Sequence, residues 1–155
     1  MSIEHPGTEV RDVAQLCIGQ IRKGCKILIC GNGGSAAQAS HFAAEMVVRY
    51  ARNRRALPCI SLTADQAVIT ACANDLGYST VFERQVEALG RPGDVLICLS
   101  TSGKSENVNV AYSKAQELGL YAIDAPRLGD DTGARQQYQL QWLHFLAAMI
   151  EEDAF

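Results

Sequence analysis

No apolar run in this chain approaches the ~20 residues needed to cross a bilayer, so no membrane span is expected. No secretory leader is expected either. The first residues are polar and acidic, with Glu4, Glu9 and Asp12, and form neither a basic n-region nor an apolar h-region. Positive charge is not in excess: 14 Lys and Arg stand against 17 Asp and Glu, for a net charge of −3. That leaves no broad electrostatic footprint for nucleic acid. The one basic cluster, Arg49, Arg52, Arg54 and Arg55, reads as a solvated helix end and loop. The six cysteines, Cys17, Cys25, Cys30, Cys59, Cys72 and Cys98, contain no C-x-x-C pair. Most sit inside apolar runs, as in Ile27-Leu28-Ile29-Cys30 and Leu96-Ile97-Cys98-Leu99, and read as small buried hydrophobes in a reducing compartment. There is no internal repeat, no low-complexity segment and no visible second domain. The expectation is a soluble cytoplasmic protein without membrane or nucleic-acid partners.

What is there suits one core. The chain has 155 residues, 48% of them hydrophobic and 20% charged. Val10, Val13, Ala14, Cys17, Ile18 and Ile21 recur at helical spacing over residues 8–22. Short apolar runs at 26–30, 58–62, 95–99 and 120–123 predict buried strands. Between them, helical patterns cover about 35–50, 65–73, 80–89, 105–118 and 134–152. This alternation predicts an α/β domain, a three-layer parallel sheet flanked by helices in the flavodoxin-like or Rossmann-like manner.

In such a sheet, ligands bind beyond the carboxyl ends of the strands. Two of the predicted strands end there in small polar residues. Ser100-Thr101-Ser102-Gly103-Lys104-Ser105 offers four hydroxyls and the backbone N–H groups of a helix start, enough to surround a phosphate. A serine-rich helix cap is the plainer reading, but one cap does not need four hydroxyls. The loop lacks Walker A spacing. Gly31-Asn32-Gly33-Gly34-Ser35 lacks the third glycine of a dinucleotide turn, since Ala36 stands there. Its glycines suit close backbone approach to a sugar.

On the following helix His41, Glu45 and Arg49 are spaced i, i+4, i+8, on one face. A His/Glu pair there could hold a divalent metal or move protons; a surface Glu–Arg pair is the plain alternative. Gln136 and His144, eight residues apart, share a face of the last helix, among Leu140, Leu143, Phe145 and Met149, which look like core. A lone histidine in such a place is more often structural than catalytic.

Taken together, these pieces resemble the SIS (sugar isomerase) family in its phosphoheptose isomerase branch. The matching stretches are Gly31-Asn32-Gly33-Gly34-Ser35-Ala36-Ala37, His41-Phe42-Ala43-Ala44-Glu45, Ala73-Asn74-Asp75-Leu76-Gly77-Tyr78, Gly93-Asp94-Val95-Leu96-Ile97 and Ser100 through Asn107. The resemblance implies an aldose–ketose isomerase that converts sedoheptulose 7-phosphate to D-glycero-D-manno-heptose 7-phosphate through an enediol, for activated heptose and surface polysaccharide. It implies that Ser100, Thr101, Ser102 and Ser105 hold the phosphate, and that Asn32, Gly33, Gly34, Ser35, Asn74 and Asp75 line the sugar. Glu45 is implied as general base, His144 as general acid, and Arg49 as a positioning group. His41, Glu45, Gln136 and His144 match the family's zinc positions, with Gln137 the alternative to Gln136, and Gln136 is implied to touch substrate too. A homotetramer with sites between subunits is also implied. The sequence departs from the pattern between Ile123 and the last helix, where residues 124–133 are too few for the family's further strand and glycine-rich turn. A non-catalytic SIS protein that binds a partner or senses a sugar phosphate is the alternative; the joint presence of Glu45 and His144 favours the enzyme.

Overall fold

The computed structural model describes residues 10–153. In chain order it contains α1 (Val10–Arg22), β1 (Ile27–Gly31), α2 (Gly34–Val47), β2 (Cys59–Ser61), α3 (Gln66–Asp75), a 3-10 turn (Tyr78–Thr80), α4 (Glu83–Leu89), β3 (Val95–Leu99), α5 (Glu106–Glu117), β4 (Tyr121–Asp124) and α6 (Thr132–Asp153). The strands form one parallel sheet in the order β2-β1-β3-β4. This is the expected α/β layering. The expected start of the first helix, at residue 8, lies outside the described residues.

Strand periodicity builds the two outer layers. Ile27 and Ile29 of β1 and Val95, Ile97 and Leu99 of β3 face one way, into a core closed by α1, α2 and α6. Leu28, Cys30, Leu96 and Cys98 face the other way, against α3, α4 and α5. Every residue of β1 and β3 is buried, as a parallel sheet covered on both faces requires. Asp94 pins the amino ends of these central strands: it accepts from the Lys26 backbone N–H at 2.9 Å, the Lys26 ammonium at 2.5 Å and the Arg91 N–H at 2.9 Å. The chain leaves β1 toward β2 on one side and β3 toward β4 on the other. The carboxyl ends of β1 and β3 therefore flank the topological switch point. They approach so closely that a Cβ on Gly31 would stand 2.8 Å from Ser35 Cβ and 3.0 Å from the Leu99 carbonyl oxygen.

Three expectations need correction. The helix expected over 35–50 stops at Val47, so Arg49 lies in the following turn, off the helical face that carries His41 and Glu45. The segment expected as one helix over 80–89 is a 3-10 turn followed by α4, because Gly77, at φ +100°, redirects the chain just before it. Phe145, expected in the core, is 52% exposed; Trp142, Leu143, Leu146, Ala147 and Ile150 fill that face of α6 instead.

The early stop of α2 has a physical cause. Arg54 donates to the carbonyls of Glu45 (2.6 Å), Met46 (2.8 Å) and Val48 (3.4 Å), groups that a longer helix would use internally. Glu151 of α6 accepts from the N–H groups of Tyr50 (2.9 Å), Ala51 and Arg52 (both 2.8 Å). Arg54 and Glu151 also pair at 3.2 Å, with side chains 7% and 3% exposed. The basic cluster is thus not simply solvated, because Arg54 is buried and paired. Burial pushes the Glu151 carboxyl up, but the three N–H donors and Arg54 outweigh it and hold it below the ordinary carboxylate range. A depressed folded-state pKa adds stability above the unfolded value, about 4.3, and that stability is lost as pH falls through the folded value. Glu151→Gln should therefore cost about 3 kcal/mol at neutral pH and flatten the acid limb, as read by urea melts from pH 7 to pH 3. An acid limb unchanged from wild type would contradict this.

All six thiols are free, and all but Cys25 are buried. Burial raises the Cys17 thiol to about 12 and pushes Cys59 up as well. Contact with Cys30, Sγ to Sγ 3.9 Å, and then burial raise Cys98. A thiol reagent at neutral pH should label Cys25 rapidly and the other five only after denaturation; fast labelling of more than one thiol per native chain would contradict the packing.

Candidate functional site

Two clusters stand beside the switch point, joined by α6. The first is the loop between β3 and α5. Ser100, buried, holds the Gly103 N–H on its Oγ at 3.0 Å and meets Ser105 Oγ at 3.2 Å. Ser102 Oγ accepts from the Lys104 N–H at 3.1 Å. The loop is braced from behind: Arg127 Nε and the Gln139 amide donate to the Ser100 carbonyl at 2.9 and 3.2 Å, and Arg135 to that of Thr101 at 3.4 Å. With those carbonyls tied back, Ser102 is exposed and Thr101 and Ser105 are half-buried beside the amino end of α5, a set of neutral donors suited to an anion.

Across the switch point, Asn32 and Asn107 exchange amide hydrogen bonds at 2.8 and 2.9 Å, and the Tyr78 hydroxyl donates to Asn32 Oδ1 at 2.7 Å. The β1 loop, the 3-10 turn and α5 are thereby locked together at one rim. Gln136 of α6 lies flat on Gly34, where any Cβ would collide with its amide. Gln38 donates to the Gln136 carbonyl at 2.9 Å.

The second cluster lies farther along the α2–α6 contact. His41 Nε2 meets Glu45 Oε1 at 2.8 Å, and His144 Nε2 from α6 stands 3.5 Å from the same oxygen and 3.4 Å from His41 Nε2. One ligand atom from each of the three residues lies within 4.8 Å of the other two. Glu45 Oε2 is buried and has no hydrogen-bond partner. Two imidazole nitrogens and a carboxylate oxygen form a donor set that suits zinc, and the orphaned oxygen leaves capacity for a ligand. The residues present therefore fit a divalent metal. Tyr50 flanks them, its ring centroid 5.9 Å from that of His144.

With that geometry in view, residues 3–124 match the family model for the SIS domain. A phosphoheptose isomerase of Clostridium acetobutylicum is 46% identical over 130 residues, 84% of this chain and 65% of that protein. One of Campylobacter jejuni is 43% identical over 160 residues, covering 93% of this chain and 86% of the other. The chain belongs to the SIS-domain phosphoheptose isomerase family. The solved phosphoheptose isomerase of Neisseria gonorrhoeae superposes with a TM-score of 0.86 at 34% identity, over 92% of this chain and 85% of that one. Against the Clostridium relative, the chain spans just under two thirds of the length.

Within this SIS domain, the residues singled out in the sequence fall into three groups. His41, Glu45 and His144 come together. Ser100, Thr101, Ser102 and Ser105 share the β3 loop, with Asn32, Gly33, Gly34 and Ser35 across the switch point. Of the rest, Gln136 adjoins the second group, while Asn74, Asp75 and Arg49 make only local side-chain bonds. Asn74 and Asp75 are exposed at the end of α3 and bond each other at 2.8 Å. Arg49 bonds Asn53 at 2.7 Å. The Gln136 side chain sits at Gly34, two helical turns before His144. Glu151, Arg127 and Gln139 had no sequence signal; Tyr78 stood in a matching stretch and Arg54 in the basic cluster, but neither was assigned a role. Asn107 stood in the motif but nothing there paired it with Asn32. Among the described residues, no helix is long and apolar enough to cross a membrane.

Proposed function

We propose that this SIS domain is a phosphoheptose isomerase that interconverts sedoheptulose 7-phosphate and D-glycero-D-manno-heptose 7-phosphate, supplying activated heptose for surface polysaccharide. One observation carries the reading: α6 brings an imidazole, His144, to 3.5 Å from a carboxylate with a free buried oxygen, Glu45. Isomerising a ketose needs such a pair. Glu45 takes the C1 proton while His144 protonates the C2 carbonyl oxygen, giving the enediol. Return of a proton to C2 and loss of the O1 proton then leave the aldehyde at C1. The two oxygens of Glu45 divide the work, with Oε1 toward the histidines and Oε2, buried and without a hydrogen-bond partner, left to take the proton. His41, Glu45 and His144, with Gln136 or Gln137 from α6, would hold zinc. When bound, zinc polarises substrate oxygens as a Lewis acid.

Placement supports the substrate class. Gln139 touches the Ser100 carbonyl, and His144 follows five residues later on the same helix, so one element joins the hydroxyl loop to the acid–base pair, as an extended sugar phosphate requires. The phosphate takes the hydroxyls of Ser100, Thr101, Ser102 and Ser105, and Asn32, Gly33, Gly34, Ser35, Asn74 and Asp75 line the sugar. Arg49 positions the substrate from the turn after α2. We extend the proposal to a cytoplasmic homotetramer: the free thiols support a reducing compartment, and exposed Val47, Val48, Tyr50 and Phe145 beside the cluster support burial by another copy. Purified protein given sedoheptulose 7-phosphate should produce a second sugar-phosphate signal by phosphorus NMR. Binding without turnover would favour the non-catalytic SIS alternative.

A further inference from the structure

We propose that Arg54 and Glu151 are positioning residues that set the distance between Glu45 and His144; the proposal rests on the isomerase reading above. The pair is bonded to the backbone of the base and reaches the acid indirectly, through α6 and Tyr50, without entering the site. On the base side, Arg54 Nη2 donates at 2.6 Å to the backbone carbonyl of Glu45 itself, and Nη1 holds the next carbonyl, that of Met46. These bonds end α2 and fix the orientation of its last turn, from which the Glu45 side chain projects. On the acid side, Glu151 lies seven residues after His144, two turns on along the same face of α6. Its carboxylate gathers the N–H groups of Tyr50, Ala51 and Arg52. Holding Tyr50 in turn seats that ring against the His144 imidazole.

The ion pair between Arg54 Nε and Glu151 Oε1, 3.2 Å apart and held by charge without hydrogen-bond alignment, closes the circuit from the Glu45 backbone to the helix of His144. The circuit is rigid for identifiable reasons. Both side chains are almost wholly buried, so water cannot substitute for either. The guanidinium is a planar fork whose arms reach α2 carbonyls that one ammonium could not reach together. Small displacements at a catalytic pair are costly, since a misplacement of about 1 Å can lower turnover about 100-fold. The hydroxyl loop hangs on Arg127, Arg135 and Gln139 and does not use this circuit. Loosening Arg54–Glu151 should therefore affect kcat and spare KM.

The test compares wild type with Arg54→Lys and Glu151→Asp, which keep the charges but lose the fork or shorten the reach. Kinetics are run at a temperature where circular dichroism shows both variants folded. The expected result is kcat lower by about tenfold or more in each, with KM within about twofold. Folded variants with wild-type kcat, and only a lower melting temperature, would show a stabilising knot and overturn the positioning role. A wild-type chain without turnover would overturn the isomerase reading instead.

Discussion

Glu45→Gln is expected to lower kcat by about 10²–10⁴-fold and to leave KM close to that of the wild type. Glutamine has the same shape, so the contact between His41 and the side chain at position 45, now 2.8 Å, survives. What disappears is the proton-accepting capacity of the buried, unpartnered Oε2. The hydroxyls proposed to receive the phosphate lie on the loop after β3, so ground-state binding should persist. Steady-state kinetics together with direct titration of sugar phosphate would read both quantities. Turnover undiminished in the variant would remove Glu45 from the role of base.

The double change Ser102→Ala with Ser105→Ala should do the reverse and raise KM by about tenfold or more, with a smaller effect on kcat. Hydrogen bonds to a charged group contribute about 1.5–3 kcal/mol each, and 1.4 kcal/mol is about tenfold in affinity. The fold should tolerate the loss. Ser105 stands at the N-cap of α5 but makes no side-chain capping bond, and Ser102 is exposed. Their hydroxyls bond mainly within the loop, Ser105 to Ser100 and Ser102 to the Lys104 N–H. Substrate titration and kinetics with the double variant would decide it; KM and Kd both unchanged would place the phosphate elsewhere.

The sequence carried the layered fold because the informative signals are local. A fully apolar run as short as Val95–Leu99, preceded by the Pro92-Gly93 turn, fits a strand covered on both faces better than a helix. The β3 loop was legible for the same reason: four hydroxyls in six residues are a chemical statement without any tertiary context. The His41–Glu45 spacing was legible from helix periodicity, but the extrapolation to Arg49 failed. The helix ends at Val47 through contacts made by Arg54 and by Glu151, the latter about a hundred residues away in the chain. No local pattern encodes such a stop. Tyr78, reaching 46 residues back to Asn32, was hidden for the same reason. Phe145 was misplaced because α6 packs apolar residues around most of its circumference, so periodicity does not say which face meets the sheet.

The central claim is that this SIS domain moves a proton between adjacent sugar carbons by means of Glu45 and His144. The most direct measurement is proton NMR of sedoheptulose 7-phosphate with the purified protein in D₂O. The account predicts solvent deuterium entering at the carbon next to the carbonyl, with aldose signals appearing as the ketose is consumed, and neither change with Glu45→Gln. A ketose that binds yet keeps all its carbon-bound protons would contradict it.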